Sequence, residues 1–393
     1  MSSPTARDHN TASVLGVVLA GAPITRNQVM ASTGLSKATV SRAVEELRIA
    51  GLVVDGEVDS VAGRGRRSTY LDLARSAGHV AGVSFGVQDT RLLVTDLRGR
   101  AITKESHATP GLASAAEAGA WLARHVRRVS AAADGALRQV VVAVPATVRA
   151  GAEVVRPPDA LGFLAGTALH DTMQRKFEAP VSFDSDANAA LLGTLAEEDL
   201  GERGDAVLFS VSSVFTAAAC VDRQLVRGHT AAFGELGVLR AGVGDETLGR
   251  LLSSRGFLDF ARQRGLRLRR IEHAWTRTLP GSEAVVAAFT SAVITAVGVV
   301  AVTLDPAIVF FTGRLAPLVE KVLPEVRDAL ASALPVVPAI VTSSTRELGL
   351  STIRGAAEAG LRAAHRQLRD HVLTVRSKRL YAEADGLAGP YLS

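Results

Sequence analysis

Residues 25–51, TRNQVMASTGLSKATVSRAVEELRIAG, encode two short helices parted by a glycine turn. Thr25 and Gln28 stand at capping-box spacing, so a helix is predicted to open there with Val29 and Met30 facing inward. Thr33-Gly34-Leu35 is a tight turn. Ser36 is a natural N-cap for the next helix, over about Lys37–Ala50, which Gly51 closes. Val40, Val44 and Leu47 share one face of that helix, which leaves Lys37, Thr39, Ser41 and Arg42 on other faces near its first turns. Upstream, Val14, Leu15, Val18 and Leu19 make the apolar stripe of a further helix, stopped by Gly21-Ala22-Pro23. Downstream, Leu52–Val54 and Ser68–Leu73 are β-type runs on either side of Gly63-Arg64-Gly65-Arg66-Arg67.

Helix, glycine turn, helix is the arrangement that lays a second helix in the major groove of DNA. Small or polar residues at that helix's start permit the approach. Ser36, Lys37, Thr39, Ser41 and Arg42 are therefore the candidate contacts to phosphates and base edges. The two β-type runs form a wing whose Arg64, Arg66 and Arg67, interleaved with glycine, suit a narrow minor groove. Any one of these pieces is explained as well by a small packing module with a solvated basic loop. Their occurrence in order favours a winged helix-turn-helix over residues 1–75. Summed charge does not carry the reading, because Glu45, Glu46, Asp55, Glu57, Asp59 and Asp72 nearly offset the basic residues here.

The whole chain has 393 residues, 47% hydrophobic and 21% charged, which excludes a mainly disordered protein and implies two or three domains. One cysteine excludes a disulfide framework and a cysteine-clustered zinc site, and it fits a reducing cytoplasm. Aromatic residues at 4% argue against stacking platforms for single-stranded nucleic acid. The net charge of +5 permits a nucleic-acid partner without showing one. The first ten residues are polar, and Val14–Ala20 is too short for a signal peptide. Ala284–Leu304 is apolar but carries Ser291, Thr295 and Thr303 and ends at Asp305-Pro306, so a buried helix is expected rather than a membrane span. No membrane partner and a cytoplasmic location, nucleoid-associated on DNA, are the expectations.

After residue 75 the pattern alternates β-rich runs with Ala-rich helical runs. His79–Gln88 and Arg91–Arg100 read as a hairpin and Val140–Val144 as a buried strand ending at Pro145. Val181–Ala190 is a strand entering a helix, and Ala206–Val211 and Ala307–Thr312 are further strands. With Gly63–Arg66, Ala81–Gly86, Pro157–Phe163, Asp184–Asn188 and Phe233-Gly234-Glu235-Leu236-Gly237, the order of parts resembles the ROK family (repressor, open reading frame, sugar kinase), in particular its transcriptional regulators of xylose-repressor type. The resemblance implies an α/β fold: a winged helix-turn-helix followed by a two-lobed actin-like (ribonuclease H-like) domain with a cleft between lobes. The expected divisions are 1–75 for the reader, 76–190 and 191–370 for the lobes, and 371–393 for a tail. It further implies a homodimer or homotetramer on a double-stranded operator, with half-sites about 34–36 Å apart or multiples of that.

The departures from the family pattern bear on chemistry. Its sugar kinases carry an aspartate in the first phosphate hairpin; here that position is Ser84, which has no anionic oxygen to help hold a cation. Ser212-Ser213-Val214-Phe215 replaces a glycine-rich phosphate loop, and Val214 and Phe215 are expected to crowd it. Asp186 matches the catalytic base, but without a bound nucleotide a base transfers no phosphoryl group. The implication is a protein that is not an enzyme, with no cofactor. Val238 stands where the zinc-linked histidine belongs, Arg240–Phe260 has no cysteine, and Cys220 reads as a small core residue, so no metal is expected. The family's hydroxyl-binding positions fall on Ser185, Asp186 and Glu235, with Asp159 in a neighbouring ligand segment. These are the candidate effector contacts, for a sugar or, given Val214, Phe215 and Val238, a less polar metabolite. Two alternatives remain: a sugar kinase with an appended reader, and a ligand-free regulator whose ROK domain only assembles. Arg262, Arg264, Arg267, Arg269, Arg270 and Arg277 read as a solvated face or subunit contact, with a second DNA patch as the alternative.

Overall fold

A computed structural model of the chain describes residues 5–58, 69–197, 204–230, 233–275, 279–343 and 345–386. Its N-terminal unit follows its caps. α1 (Ala6–Gly21) opens at Thr5, which exchanges capping bonds with Asp8, and turns Val14, Leu15, Val18 and Leu19 inward. β1 (Ile24–Thr25) leads into α2 (Arg26–Thr33), where both bonds of the Thr25–Gln28 box are made. Gly34 takes the left-handed conformation, φ 69°, that turns the chain toward α3 (Lys37–Ile49), and Ser36 caps α3 by accepting from the Thr39 N–H. β2 (Val53–Val58) and β3 (Thr69–Leu73) pair antiparallel, with β1 on the other side of β3. The unit is a winged helix-turn-helix. Arg64, Arg66 and Arg67 lie outside the described residues.

Two lobes follow. In the first, β4 (His79–Phe85), β5 (Asp89–Asp96) and β6 (Ala101–Ala108) form an antiparallel meander. After α4 (Ala115–Ser130), β7 (Leu137–Val144) joins β4 in parallel. The hairpin β8 (Thr147–Arg149) and β9 (Glu153–Val155), then α5 (Ala168–Gln174), lead to β10 (Val181–Ser185), parallel to β7. α6 (Asp186–Leu195) then starts toward the second lobe. There β11 (Ala206–Val211), β12 (Phe215–Val221) and β13 (Gln224–Leu225) repeat the meander. After α7 (Leu248–Leu251), α8 (Ser254–Gln263) and α9 (Ser282–Leu304), β14 (Ile308–Thr312) joins β11 in parallel. α10 (Ala316–Ala333) and β15 (Ala339–Ser343) complete it. The sheet orders, β10-β7-β4-β5-β6 and β13-β12-β11-β14-β15, are one topology used twice: a three-strand meander with two parallel strands added beyond its first strand.

α9 is long and apolar enough to cross a membrane, but half of its most apolar window is buried in the molecule. Val285, Phe289, Ala292, Val293, Ala296 and Val300 form the face packed into the second lobe's core with Val309 and Phe311.

The last helix, α11 (Thr345–Gly386), corrects the expected divisions. It does not stay in the second lobe, and the chain remains helical past 371 to 386. It returns to the first lobe and packs on α6, β4, β7 and α1. Small residues allow the approach: a Cβ on Gly355 would strike the Ala189 carbonyl oxygen, and one on Gly193 that of Ser351. Ala364 and Leu368 of α11 share a core with Val14, Leu15, Val44 and Leu71 of the reader and with Val80 and Leu97 of the first lobe. Along this seam His365 Nε2 lies 2.8 Å from the Leu97 carbonyl oxygen, and Gln367 Nε2 donates to Gln139 Oε1 at 2.9 Å. The first lobe is therefore not one contiguous stretch, because α11 closes it from the far end of the chain.

Candidate functional site

The reader presents the start of α3. Ser36, Lys37, Ser41 and Arg42 are exposed, and Thr39 is half-buried with its hydroxyl 2.9 Å from Ser36 Oγ. The inward face, Val40, Ala43, Val44 and Leu47, is buried in the reader's core. Among the arginines of α1–α3, Arg7 pairs with Glu46, Arg26 with Asp55 at 3.0 Å and Arg48 with Glu45 at 2.9 Å. Lys37 and Arg42 have no carboxylate partner among the described residues. The paired arginines are neutralised by their own unit; the two cations at the α3 start are left available to an external anion.

Between the lobes is a cavity of about 360 Å³. Three of the four candidate effector residues line it: Ser185, Asp186 and Glu235. Ser185 is the N-cap of α6 and accepts from the Asn188 N–H at 3.1 Å. Asp186 opens α6. Burial of its carboxyl pushes the pKa up to about 6, although the Asp186 and Ala187 N–H groups pull it the other way. Asp186 as a residue still shows some surface, so the desolvation falls on the carboxyl itself. Asn188 braces the strand-to-helix turn by donating to Asp184 Oδ1 at 2.8 Å.

The fourth residue, Asp159, is not in the cavity wall. It opens a 3₁₀ stretch, Asp159–Leu164, whose Leu161 and Leu164 are turned into the first lobe's core, and that leaves Asp159 exposed outside.

Three contacts tie the lobes across the cavity. Thr147 of β8 donates its hydroxyl to Glu235 Oε1, and Arg156 Nη1 lies 3.8 Å from Glu235 Oε2. Arg227 Nη2 donates to Asp184 Oδ2 at 2.7 Å; Asp184 is buried, Arg227 half-exposed. Sequence reasoning missed Thr147, Arg227 and Asp184 as cleft residues. Their partners lie 88 and 43 positions away, and no local spacing marks them. Arg366 was missed as well; it reaches the cavity because α11 returns to the first lobe.

The reading of Phe215 and Val238 is corrected. Phe215 is buried in the second lobe's core against Phe209, ring centroids 5.5 Å apart, so it does not obstruct the phosphate-loop position. Val214 and Val238 are exposed and border a separate shallow hollow, not the interlobe cavity. The cavity wall is instead rich in polar groups, among them Thr147, Asp184, Asp186, Arg227, His229 and Glu235. Ser84 lies half-buried on β4. At the loop after β11, Ser212 Oγ accepts from the Arg314 N–H at 3.1 Å. Cys220 is buried in β12. Among the described residues, no group of three or more His, Cys, Asp or Glu side chains is placed to hold a metal ion.

Residues 80–358 match the ROK family, and the chain belongs to it. The xylose repressor of Caldicellulosiruptor bescii is 27% identical over 229 residues, 57% of this chain and 56% of that protein. That of Bacillus subtilis is 23% identical over 228 residues, 57% and 58%. The chain thus spans little more than half the length of the curated relatives it matches. Of solved structures, a ROK family transcriptional regulator, described as a homolog of the E. coli MLC protein, superposes with TM-score 0.72 at 16% identity, over 93% of this chain and 99% of that one. A ROK hexokinase from Thermus thermophilus superposes with TM-score 0.59 at 22% identity, over 74% and 99%. At these identities the structural likeness establishes the fold.

Proposed function

We propose that the chain is a sequence-specific DNA-binding transcriptional regulator of repressor type. It docks α3 in the major groove of a double-stranded operator, with Ser36, Lys37, Thr39, Ser41 and Arg42 at the groove. The wing residues Arg64, Arg66 and Arg67 reach the adjacent minor groove. The observation that carries this is the segregation of charge on the reader: its other helical arginines are paired with carboxylates, while Lys37 and Arg42, beside the capped start of α3, are not. The xylose repressors among its relatives support the same reading.

The ROK body is non-catalytic in this proposal. Ser84 supplies no anionic oxygen for a cation, and the loop Ser212–Val214 lacks the glycines that let backbone N–H groups cradle a phosphate. The body assembles homodimers or homotetramers, and its cleft holds an effector. The polar wall favours a hydroxylated effector over an apolar one, because Asp186 and Glu235 offer acceptors that an apolar ligand would leave unpaired. α11 couples cleft to reader, since one helix lines the cavity through Ala359, Ala363 and Arg366 and enters the reader's core through Ala364 and Leu368.

The test is operator selection from random duplexes with the full chain, then anisotropy titrations over a range of salt. Each lost phosphate contact lowers the slope of log K against log salt by about 0.9, so Lys37→Ala with Arg42→Ala should lower it by about 1.8. A double variant with the parent's affinity and slope removes the docking mode. A coupled nucleotide-consumption assay with a sugar panel distinguishes the kinase reading, which requires turnover.

A further inference from the structure

α11 shows two faces to two different parts of the molecule. Ala359, Ala363 and Arg366, spaced i, i+4 and i+7, fall on one side and line the interlobe cavity. Ala364 and Leu368 lie in the core shared with the reader. Arg366 is two positions from each of them, about 200° round the helix, and so points away from that core. The match to the ROK family ends at residue 358, so Arg366 stands outside the matched domain.

Arg366 is also the arginine of the cavity wall whose charge is not balanced. The wall holds Arg149, Arg227 and Arg366. Arg149 pairs with Glu153 at 3.1 Å and Arg227 with Asp184 at 2.7 Å. The wall's carboxylates already have donors of their own. Asp184 accepts from Asn188 as well, Glu235 accepts from Thr147 and lies 3.8 Å from Arg156, and Asp186 is held by N–H groups at the start of α6. Arg366 is exposed and has no carboxylate partner among the described residues. His229, exposed in the same wall, adds a group that can carry positive charge and none that carries negative.

A guanidinium left free in a cleft of about 360 Å³ offers a planar fork of N–H groups that matches the two oxygens of a carboxylate. One such group balances one negative charge. A phosphomonoester carries about −1.5 to −2 and would leave part of its charge unbalanced. Ser185, Asp186 and Glu235 in the same wall suit hydroxyls. We propose that the effector of the interlobe cleft is a small sugar acid, an aldonate or uronate, whose carboxylate is held by Arg366. This deepens the reading of the cleft as an effector site and rests on it. Because Arg366 rides on the helix that enters the reader's core, a carboxylate that engages it acts on the seam as well as filling the cleft.

The experiment is calorimetric titration of the full chain with gluconate, glucuronate, glucose and glucose 6-phosphate. At least one of the two acids should saturate and bind about tenfold or more tighter than glucose, the effect of one charge-assisted bond. Arg366→Gln should remove that preference, and Arg366→Lys, which keeps the charge but not the fork, should restore part of it. Hydrogen exchange of α1 and α3 should change when the acid is added to the parent and not when it is added to Arg366→Gln at the same concentration, a readout that an arginine with no tie to the seam would not move. Glucose binding as tightly as the acids, glucose 6-phosphate binding more tightly than either, or an Arg366→Gln variant with the parent's preference overturns the sugar acid and leaves the effector cleft standing. No saturation by any of the four overturns the effector reading of the cleft together with this proposal.

Discussion

Leu368→Ala tests whether α11 holds the reader to the body. Leu368 is 5% exposed and lies in the core that joins α1 and α3 to the first lobe. Truncation removes about three carbons, or roughly 2.4 kcal/mol at 0.8 kcal/mol per buried methylene. The site has little room to collapse, because Leu368 is held in one core by elements from three directions: α1, α3 and the first lobe's sheet. A residual void of about 50 Å³ at 24 cal/mol per Å³ adds roughly 1.2 kcal/mol, for a total of about 3–4 kcal/mol. The loss should be local. Hydrogen exchange of the full chain should quicken in α1, α3 and the middle of α11, and stay at the parent's rate in β11, β14 and β15. Leu330→Ala, a leucine 2% exposed in the second lobe's core, is the matched control and should give the converse pattern. Unchanged exchange across residues 6–49 in Leu368→Ala would refute the shared seam.

Arg227→Ala leaves Asp184 buried with one partner fewer and should cost about 1–3 kcal/mol in chemical denaturation; an unchanged midpoint would show that the interlobe pair contributes nothing. For Asp186, a carboxyl raised above its ordinary value makes the fold lose stability as pH climbs from about 4 to about 6. Asp186→Asn should therefore gain stability relative to the parent above pH 6 and lose that advantage below pH 4, as read from melting curves across pH. Burial lowers the pKa of both His79 and His365, so their contribution is intact above about 6.5 and falls away as pH drops below it. The double variant His79→Gln/His365→Gln should flatten that acid loss, measured by the pH dependence of reader hydrogen exchange. Gly355→Ala should prevent the α6–α11 crossing and yield little soluble protein, whereas Gly111→Ala, with open space around it, should behave as the parent does.

The reader was legible in the sequence almost to the residue, because caps and turns are local chemistry. Thr25, Gly34 and Ser36 each act within four positions of themselves. The lobes' strands were legible for the same reason, as short β-branched runs bounded by turn residues. The fate of α11 was not. Its small-residue run, Gly355-Ala356-Ala357, fits any close helix contact, and nothing local says that the contact is α6 rather than the neighbouring β15. Asp159 was misplaced because a motif position fixes sequence register, not the rotation of a 3₁₀ turn; Leu161 and Leu164 decide that. Phe215 was misread because a residue beside a loop was assigned to the loop, when the β12 pleat turns its ring inward. Across the cleft, Asp184 and Arg227 each look like an ordinary surface charge until the lobes bring them together.

The chain passes between its two lobes twice, once after α6 and once before α11, and those two helices lie in backbone contact with each other. Among the described residues, the helices on either side of these two passages, α6 and α11, pack on each other, and α1 rests against α11. A tilt of the second lobe that carried α6 and α11 with it would therefore be felt by the reader as leverage.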